Sequence, residues 1–243
     1  MVITSQAQDA PVSLSGLFAA SSDSEADEFE NEFEIQNISI GDDKYRIRVF
    51  SFHEANANKV WPGMFSLADF MDSHVRYSTG RIMELGAATG ALAIHLRSSP
   101  RNYDVMTSDI CDDGAVAANI EFNSILNGQA IGCHYAHTWG TGWAHPGQIR
   151  FVIASDILLY VSAYGALVET LLEIFAVNQA EEFLMSWRRR IADSSIFFDL
   201  MKAAGFRVHH HGSCIYSFFK PDSTSPYLQS LLLLPPHSLN KQK

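Results

Sequence analysis

Short strand-like runs alternate with longer helix-like runs through most of this sequence, and this alternation constrains the fold more than any other feature. The strand-like runs lie at about residues 81–85, 103–107, 131–135, 150–155 and 182–187, and the helix-like runs lie at about residues 90–97, 113–126, 163–178 and 194–204. Neighbouring parallel strands need a long, usually helical connection, and the helices then cover both faces of the sheet. The alternation therefore predicts an α/β, doubly wound, mostly parallel sheet.

Other patterns flank this region. FEIQNISI and YRIRVFSF lie on either side of GDDK, and each alternates like a half-buried strand, so residues 33–52 predict an N-terminal β-hairpin extension. Residues 60–75 place Met64, Met71 and Val75 at helical spacing after Pro62 and predict a helix. AAGFRVHHH and CIYSFF are too close for a helical crossover, so they predict a C-terminal antiparallel hairpin.

The charge distribution divides the chain into a domain and two tails. The formal charge is -10, but residues 1–34 hold eight of the 27 acids and no Lys or Arg, so the remainder carries only about -2. We predict an acidic disordered tail at residues 1–32, a domain at residues 33–220 that includes the first hairpin, and a C-terminal tail at residues 221–243. A nearly neutral domain has no broad basic face, so we expect no binding to nucleic acid.

Several classes of protein are disfavoured. No apolar run approaches the roughly 20 residues of a membrane span, and the N-terminal residues lack the basic segment of a signal peptide. Cys111, Cys133 and Cys214 are scattered, which argues against disulfides and zinc. Residues 209–211 are consecutive histidines in a strand-like run, where neighbours face opposite sides, so we assign no metal. We expect a monomer in the cytoplasm or nucleus, without membrane association.

The turn after the first strand of the alternating region predicts a cofactor site. RIMELGAATGALAIHL, residues 81–96, joins a strand to a helix through Gly86 and Gly90. Glycines allow close approach by a ligand, and the helix offers unpaired N–H groups at the edge where open parallel sheets bind ligands. Asp109 ends the next strand, 19 residues after Gly90, where a carboxylate can accept hydrogen bonds from both ribose hydroxyls. Turn and acid together predict an adenosine-containing cofactor, with a plain turn and a helix cap as the structural alternatives.

Nicotinamide cofactors fit the turn poorly. Their Gly-x-Gly-x-x-Gly pattern would need glycine where Ala88 and Ala91 stand. The Tyr-x-x-x-Lys pair of many short-chain dehydrogenases is also missing, since Tyr160 is followed four residues later by Tyr164. Hydride transfer is therefore disfavoured.

Further motifs occur in a specific order along the chain. They are VWPGMFSLADFM, MELGAATG, TSD, AANIEFN, HTWG at residues 137–140 and IASDILLY at residues 153–160. Together they resemble the class I, seven-strand S-adenosylmethionine-dependent methyltransferases, and within them the family 16 lysine-methyltransferase-like branch. The resemblance covers about residues 35–219 and implies a Rossmann-like methyltransferase fold with seven strands.

The resemblance also implies S-adenosyl-L-methionine as cofactor and S-adenosyl-L-homocysteine as product. It assigns seven residues to the cofactor or its entrance: Glu84, Gly86, Ala88, Gly90, Asp109, Trp139 and Trp61. Glu84 would meet the amino group of the methionine part, Asp109 the ribose and Trp139 the adenine ring. Ala88 departs from the family pattern, because it replaces the usual middle glycine and adds a methyl group beside the methionine part.

The resemblance implies methyl transfer to a lysine side chain of a protein. A lysine amine has a reference pKa of about 10.4 and must be neutral to attack, so a nearby acid that positions it or accepts its proton is expected. Asp156 is the candidate acid, and Tyr160 is a candidate for closing the pocket, although the family's Asp-x-x-Tyr would end one residue earlier. Two alternatives stay open: a small-molecule, nicotinamide-like N-methyltransferase, and a binding module that keeps the cofactor site without turnover.

Overall fold

The chain builds a seven-stranded sheet with helices on its faces, preceded by a separate two-stranded hairpin. These features come from a computed structural model that describes residues 33–234 apart from residues 55, 113 and 146. The strands are β1 (Phe33–Ile40), β2 (Asp43–Phe50), β3 (Ile82–Leu85), β4 (Val105–Asp109), β5 (His134–Ala136), β6 (Phe151–Ser155), β7 (Glu182–Ser186), β8 (Arg207–Gly212) and β9 (Ile215–Phe219). The helices are α1 (Gly63–Ser73), α2 (Ala91–Ser98), α3 (Ala115–Leu126), α4 (Tyr164–Val177), α5 (Ile196–Ala203) and α6 (Pro226–Leu232). Short 3-10 helices lie at Val75–Ser78, Val161–Ala163 and Ala192–Ser195. The acidic tail predicted at residues 1–32 and the last nine residues of the C-terminal tail lie outside the described residues.

The large sheet has the strand order β5-β4-β3-β6-β7-β9-β8. Strands β3 to β7 pair parallel with one another, whereas β9 is antiparallel to both β7 and β8. This arrangement confirms the predicted doubly wound sheet and its C-terminal antiparallel hairpin. The chain runs outward from β3 to β5 and then returns to β6 on the other side of β3. The direction of winding therefore reverses between β3 and β6, which is where open sheets of this kind bind ligands.

Alternate residues of the central strands face two different core clusters. Met83 of β3 and Val152 of β6 belong to one cluster, and their neighbours Ile82 and Phe151 belong to the other. Each of these four side chains is fully buried, because helices cover both faces of the sheet. The near-continuous apolar runs seen in the sequence follow from this double coverage.

Several predicted boundaries were wrong by two or three residues, and β4, predicted at about residues 103–107, covers Val105–Asp109. Strand β5 covers only His134–Ala136, because it lies at the sheet edge, pairs with β4 alone and leaves Ile131 57% exposed before it. Helix α1 ends at Ser73, so Val75 lies outside it and is 67% exposed. The helix stops because His74 has an extended backbone, with φ -125° and ψ 94°.

Asparagine side chains of α3 attach the hairpin to the rest of the domain. Asn123 Oδ1 accepts a hydrogen bond from the backbone N–H of Arg48 at 2.7 Å, and Asn123 Nδ2 donates to the Arg48 carbonyl at 3.0 Å. Asn123 Nδ2 also donates to the Thr89 carbonyl at 3.0 Å. Asn127 makes the equivalent pair of bonds to the backbone of Arg46. The asparagine amides thus pair with β2 as a neighbouring strand would, and they fix the turn that contains Thr89.

The start of the C-terminal tail packs as helix α6. Leu228 and Leu231 of α6 contact Phe219, the last residue of β9, in a small apolar cluster. None of the helices among the described residues has the length and apolar character needed to cross a membrane.

Candidate functional site

The turn between β3 and α2 lies at the point where the sheet reverses its winding. Gly86, Ala88 and Gly90 all adopt left-handed backbone conformations, with φ of +65°, +50° and +75°. A Cβ atom added to Gly86 would lie 2.8 Å from Ile157 Cγ2, so both the conformation and the space require glycine there. Ala88 holds the same type of conformation with a Cβ atom, which costs about 1–2 kcal/mol in an L-residue. Ala88 thus holds a backbone conformation that glycine adopts without strain.

Asp109, the last residue of β4, stabilises this turn by hydrogen bonding. Its Oδ2 accepts a hydrogen bond from the backbone N–H of Ala88 at 2.7 Å, and its Oδ1 accepts one from the backbone N–H of Ile110 at 2.8 Å. The carboxyl group is buried, and burial raises its pKa. Each carboxylate oxygen can accept a further hydrogen bond, so the predicted ribose contact is compatible with this bracing role.

Glu84 is a buried acid beneath the turn. It is 2% exposed, and no described residue donates a hydrogen bond to its Oε2 atom. Burial raises the pKa of Glu84 to about 8, a rise that the Arg97 guanidinium opposes and the Asp109 carboxyl increases. A hydrogen bond from the backbone of Ala93 also opposes this rise. A buried carboxylate with one oxygen that lacks a donor is stabilised by an incoming cation. Glu84 therefore fits the amino group that the resemblance assigns to it.

A narrow cleft, open to solvent, lies over the turn. Its lining residues are Lys59, Val60, Trp61, Met64, Glu84, Gly86, Ala87, Ala88, Thr89, Ala91, Leu92 and Ser155. Trp61 contributes its indole ring, whose N–H donates to the carbonyl of Asn56 at 3.0 Å. The cleft thus brings together the predicted residues Glu84, Gly86, Ala88 and Trp61, which come from two separate parts of the chain.

Neither Trp139 nor Asp109 is among the residues that line this cleft, and Trp139 follows two residues that bond to the end of β4 and the loop after it. The N–H of His137 donates to the carbonyl of Asp109 at 2.8 Å, and the N–H of Cys111 donates to Thr138 Oγ1 at 3.3 Å. These bonds hold the loop after β5 against the loop after β4. Trp139 itself is partly buried against the main core cluster. A ligand that follows the strand ends from the glycine turn past Asp109 would reach this loop next.

Asp156 follows β6 and holds two partners. It is 4% exposed and has φ +55°, the left-handed region that non-glycine residues rarely adopt. Its Oδ2 accepts a hydrogen bond from the N–H of Gly63, the first residue of α1, at 2.6 Å, and one from Arg190 Nη2 at 2.9 Å. The Arg190 guanidinium carbon also lies 5.2 Å from the centre of the Trp61 ring. Asp156 thus binds a cation beside an indole at the rim of the cleft.

Tyr160 follows Asp156 by four residues and is 53% exposed. Its hydroxyl accepts a hydrogen bond from the side-chain amide of Asn56, whose backbone carbonyl accepts the Trp61 indole N–H. Asn56 therefore connects Tyr160 to Trp61. Its left-handed backbone, with φ +59°, is one that asparagine tolerates well.

Three residues of this region were missed by sequence reasoning: Asn56, Lys59 and Gly63. No motif marks Lys59, and the pairing of Arg190 with Asp156, 34 residues away, depends on the tertiary structure. Asn56 and Gly63 are residue types that often occupy special backbone positions, but nothing nearby in the sequence distinguishes them.

The described residues contain no group of three or more His, Cys, Asp or Glu side chains arranged to hold a metal ion. The His209 and His211 rings lie 4.6 Å apart, and His210 stacks on Tyr216 with the ring centres 4.4 Å apart. This alternation of faces is what a strand imposes on consecutive residues.

The fold is similar to those of solved methyltransferases. The 16S rRNA N2 methyltransferase of T. thermophilus, solved with S-adenosylmethionine and guanosine, matches with a TM-score of 0.56 and 14% identity over 81% of this chain and 52% of that chain. A protein of Pyrococcus horikoshii, provisionally assigned as an RNA methyltransferase, matches with a TM-score of 0.56 and 12% identity over 74% of this chain and 93% of that chain. At these identities the likeness defines the fold, which is that of the class I S-adenosylmethionine-dependent methyltransferases.

The sequence identifies the family within this class. A family model described as lysine methyltransferase matches residues 46–204, which is most of the described region. No curated protein sequence matches the chain. The chain belongs to this lysine methyltransferase family and is an S-adenosylmethionine-dependent methyltransferase, as the motifs at the strand ends predicted.

Proposed function

We propose that the protein transfers a methyl group from S-adenosylmethionine to the side-chain nitrogen of a lysine in a protein substrate. The observation that carries this proposal is the cation site at the rim of the cleft. There the Asp156 carboxylate and the Trp61 ring both lie next to the Arg190 guanidinium. A carboxylate together with an aromatic face is a suitable site for an ammonium group. The description of the family supports the same acceptor.

The residues around the glycine turn fit the cofactor. When bound, S-adenosylmethionine supplies a methyl group on a positively charged sulfur, which is a good leaving group. Glu84 would hold its amino group, the turn at residues 86–90 its methionine part, and Asp109 its ribose. The protein then needs mainly to keep acceptor and methyl group close and in line, which can lower a barrier by about 7–11 kcal/mol.

Asp156 would act on the acceptor. An amine in a partly dry pocket has a lowered pKa, and a carboxylate beside it can orient it and receive its proton. Asp156 Oδ1 is the less engaged oxygen, since Arg190 Nε reaches it only at 3.4 Å. Arg190 covers this carboxylate, so its side chain must shift for a lysine amine to bind. Tyr160, at the entrance, would contact the substrate chain on either side of the lysine.

The test separates the proposed acceptor from the other two possibilities. Calorimetry with S-adenosylhomocysteine measures cofactor binding, and transfer of labelled methyl groups to a cell lysate measures turnover. Methyllysine in the acid hydrolysate of labelled protein would support the proposal. Label in a protease-resistant small product would indicate a small-molecule N-methyltransferase, and binding without any transfer would indicate a binding module.

A variant connects the activity to the cation site. Asp156→Asn should retain S-adenosylhomocysteine binding and lose at least about tenfold in transfer, because it removes the charge that positions the amine. Asp104→Asn is the matched control. Asp104 pairs with Arg81 just before β4 and β3, at the ends of the strands opposite the cleft, and both side chains are about half exposed. The Asp104→Asn variant should transfer methyl groups normally. Equal transfer by Asp156→Asn and the control would contradict the role of Asp156.

A further inference from the structure

Lys59 lies at the cofactor cleft, and no motif assigns it a role. The residues that line the cleft include one base, Lys59, and one acid, Glu84. Lys59 is an exposed residue, and the ion pairs formed among the described residues do not include it. A positive charge at the cleft is therefore available to a ligand.

The Lys59 ammonium is held beside the cleft by Trp61. Lys59 Nζ lies 4.0 Å from the centre of the Trp61 ring, within the range of a cation–π interaction. The indole N–H bond to the Asn56 carbonyl, at 3.0 Å, fixes the orientation of that ring. Because one end of the lysine side chain is restrained by the ring, less conformational entropy is lost when the ammonium binds a ligand.

Two other cations near the cleft, Arg190 and Arg97, are not among its lining residues and are engaged elsewhere, although Arg97 Nη1 is buried without a partner. Arg190 is bound to Asp156, with Nη2 2.9 Å from Oδ2. Arg97, whose charge opposes the rise in the pKa of Glu84, donates from Nη2 to the Val105 carbonyl at 2.8 Å. Lys59 is the base at this cleft that these contacts leave free.

The methionine part of the cofactor carries an ammonium group and a carboxylate on the same carbon atom. Glu84, with its buried and unpartnered Oε2, suits the ammonium group, and the carboxylate then requires a donor of positive charge. We propose that Lys59 binds the carboxylate of the methionine part of S-adenosylmethionine, so that Lys59 and Glu84 together recognise the amino-acid end of the cofactor. This inference rests on the cofactor and not on the lysine acceptor proposed above.

Two ligands that differ only at the amino-acid end test the proposal. S-adenosylhomocysteine carries the ammonium and carboxylate groups, whereas 5′-methylthioadenosine has the same nucleoside and thioether without them. Calorimetry would compare both ligands on the wild type, Lys59→Met, Lys59→Arg and the control Lys202→Met. Lys202 is on α5, where its ammonium pairs with Asp199 and is largely exposed.

We expect Lys59→Met to weaken S-adenosylhomocysteine binding about tenfold, since one charge-assisted hydrogen bond is lost. Its affinity for 5′-methylthioadenosine should stay within about twofold of the wild type, and Lys59→Arg should retain most of the binding to both ligands, because it keeps the charge. Lys202→Met should bind both ligands normally. Thermal unfolding midpoints equal to that of the wild type would show that the variants are folded.

Three results would overturn the proposal. Equal weakening of both ligands would mean that Lys59 only supports the Trp61 ring, and no weakening of either would mean that it contacts neither. A methyl group found on Lys59 by mass spectrometry, after incubation of the wild type with S-adenosylmethionine, would make it an acceptor instead. Failure to find methyllysine in substrate proteins would leave these binding results unaffected, so the two proposals fail separately.

Discussion

At the scale of single residues, three of the six described non-glycine residues with left-handed backbone, Asn56, Ala88 and Asp156, lie at the site, and the other three lie elsewhere. Ala88 and Asp156, with φ of +50° and +55°, follow the two adjacent strands β3 and β6. Each such conformation costs about 1–3 kcal/mol and persists only where surrounding contacts hold it. Asp109 provides that contact for Ala88 by accepting its N–H. Residues under this kind of constraint concentrate at functional sites, which agrees with the position of both at the cleft.

Replacing Ala88 with glycine should leave the stability of the protein nearly unchanged. Glycine adopts φ of +50° without strain, a gain of about 1–2 kcal/mol. The added entropy of the unfolded chain, about 0.4–1 kcal/mol, and the loss of a buried methyl group, about 0.8 kcal/mol, offset this gain, because Ala88 is buried in a cluster with Val116 and Ile120. We expect a change of less than about 0.5 kcal/mol in the free energy of unfolding, measured with denaturant. The same change at Ala118, an exposed position within α3, should cost about 1 kcal/mol. An equal loss of stability in both variants would contradict the left-handed assignment.

Glu84 should make the cofactor-free protein less stable as the pH rises. The pKa of Glu84 is about 8 in the folded state against an ordinary value of 4.5. Below about pH 4.5, Glu84 is protonated in both the folded and the unfolded protein. Between about pH 4.5 and about pH 8 the unfolded chain has lost this proton while the folded protein still holds it. The free energy of unfolding therefore falls by up to about 1.4 kcal/mol per pH unit over this range. Histidines with lowered pKa values act in the opposite direction over part of this range.

The comparison with Glu84→Gln isolates the contribution of this carboxyl. Glutamine resembles the protonated acid in shape and does not titrate, so the variant should lack the decline between about pH 5.5 and about pH 8. Denaturant unfolding of both proteins across that range measures the difference. Parallel pH profiles for wild type and variant would mean that Glu84 is already ionised in the folded protein.

At the scale of elements, the position of α1 determines whether Asp156 and Trp61, the residues proposed to bind the acceptor amine, come together. Its first residue, Gly63, donates its N–H to Asp156 at 2.6 Å, and this bond joins α1 to the end of β6. A carboxylate at a helix N-terminus is favourable, since it meets unpaired N–H groups and the positive end of the helix dipole. Trp61 lies two residues before the start of α1, so the same contact helps to place the indole at the cleft.

Gly63→Ala should disturb this contact. The added Cβ atom would lie 2.6 Å from Ser186 Oγ and 2.7 Å from Asp156 Oδ2, and such overpacking typically costs about 1–3 kcal/mol. Methyl transfer should fall with stability, since Asp156 is displaced. In Gly165→Ala, near the start of α4, the new Cβ meets no atom within 4 Å, and we expect no loss and a gain of up to about 1 kcal/mol. Thermal and denaturant unfolding of the two variants would give this contrast in sign.

At the scale of the whole molecule, a buried polar network joins distant parts of the described chain. Glu182, at the start of β7, is fully buried and pairs with Arg76 and accepts a hydrogen bond from Ser217 of β9. The Arg76 guanidinium carbon lies 4.1 Å from the centre of the Tyr227 ring on α6. His211 of β8 completes the network through Ser217 Oγ, at 2.6 Å from its Nε2. The segment before β3, the last hairpin and α6 are thus held to one carboxylate.

Glu182→Gln should destabilise the whole domain. Removing one partner of a buried ion pair leaves Arg76 without its counter-charge and typically costs about 3–5 kcal/mol. The neighbouring Glu181 pairs with Arg150, and both side chains are about one-third exposed, so Glu181→Gln should change the free energy of unfolding by less than about 1 kcal/mol. Equal effects of the two substitutions in denaturant unfolding would show that the network is not a main source of stability.

Local patterns in the sequence were sufficient for the order of the elements, the two hairpins and the turn at Gly86 and Gly90. Periodicity of apolar residues and the chemistry of turns depend on neighbours within a few positions, so a single sequence contains them. Asp109 could be placed at the ligand edge for the same reason, because it ends a strand-like run. The boundary errors at β5 and α1 arose where edge pairing and one extended residue, His74, determine where an element stops.

Only the tertiary structure decided which side chains meet at the cleft. The partners Gly63 and Asp156 are 93 residues apart, and Asn56 and Tyr160 are 104 residues apart. Such contacts depend on how α1 and the loops after the strands pack together, and no spacing in the sequence records that packing. The burial of Glu84 without a hydrogen-bond donor to Oε2 is likewise a property of the folded interior. The sequence determined the fold and the edge where the cofactor site lies, whereas packing determined which charges face it.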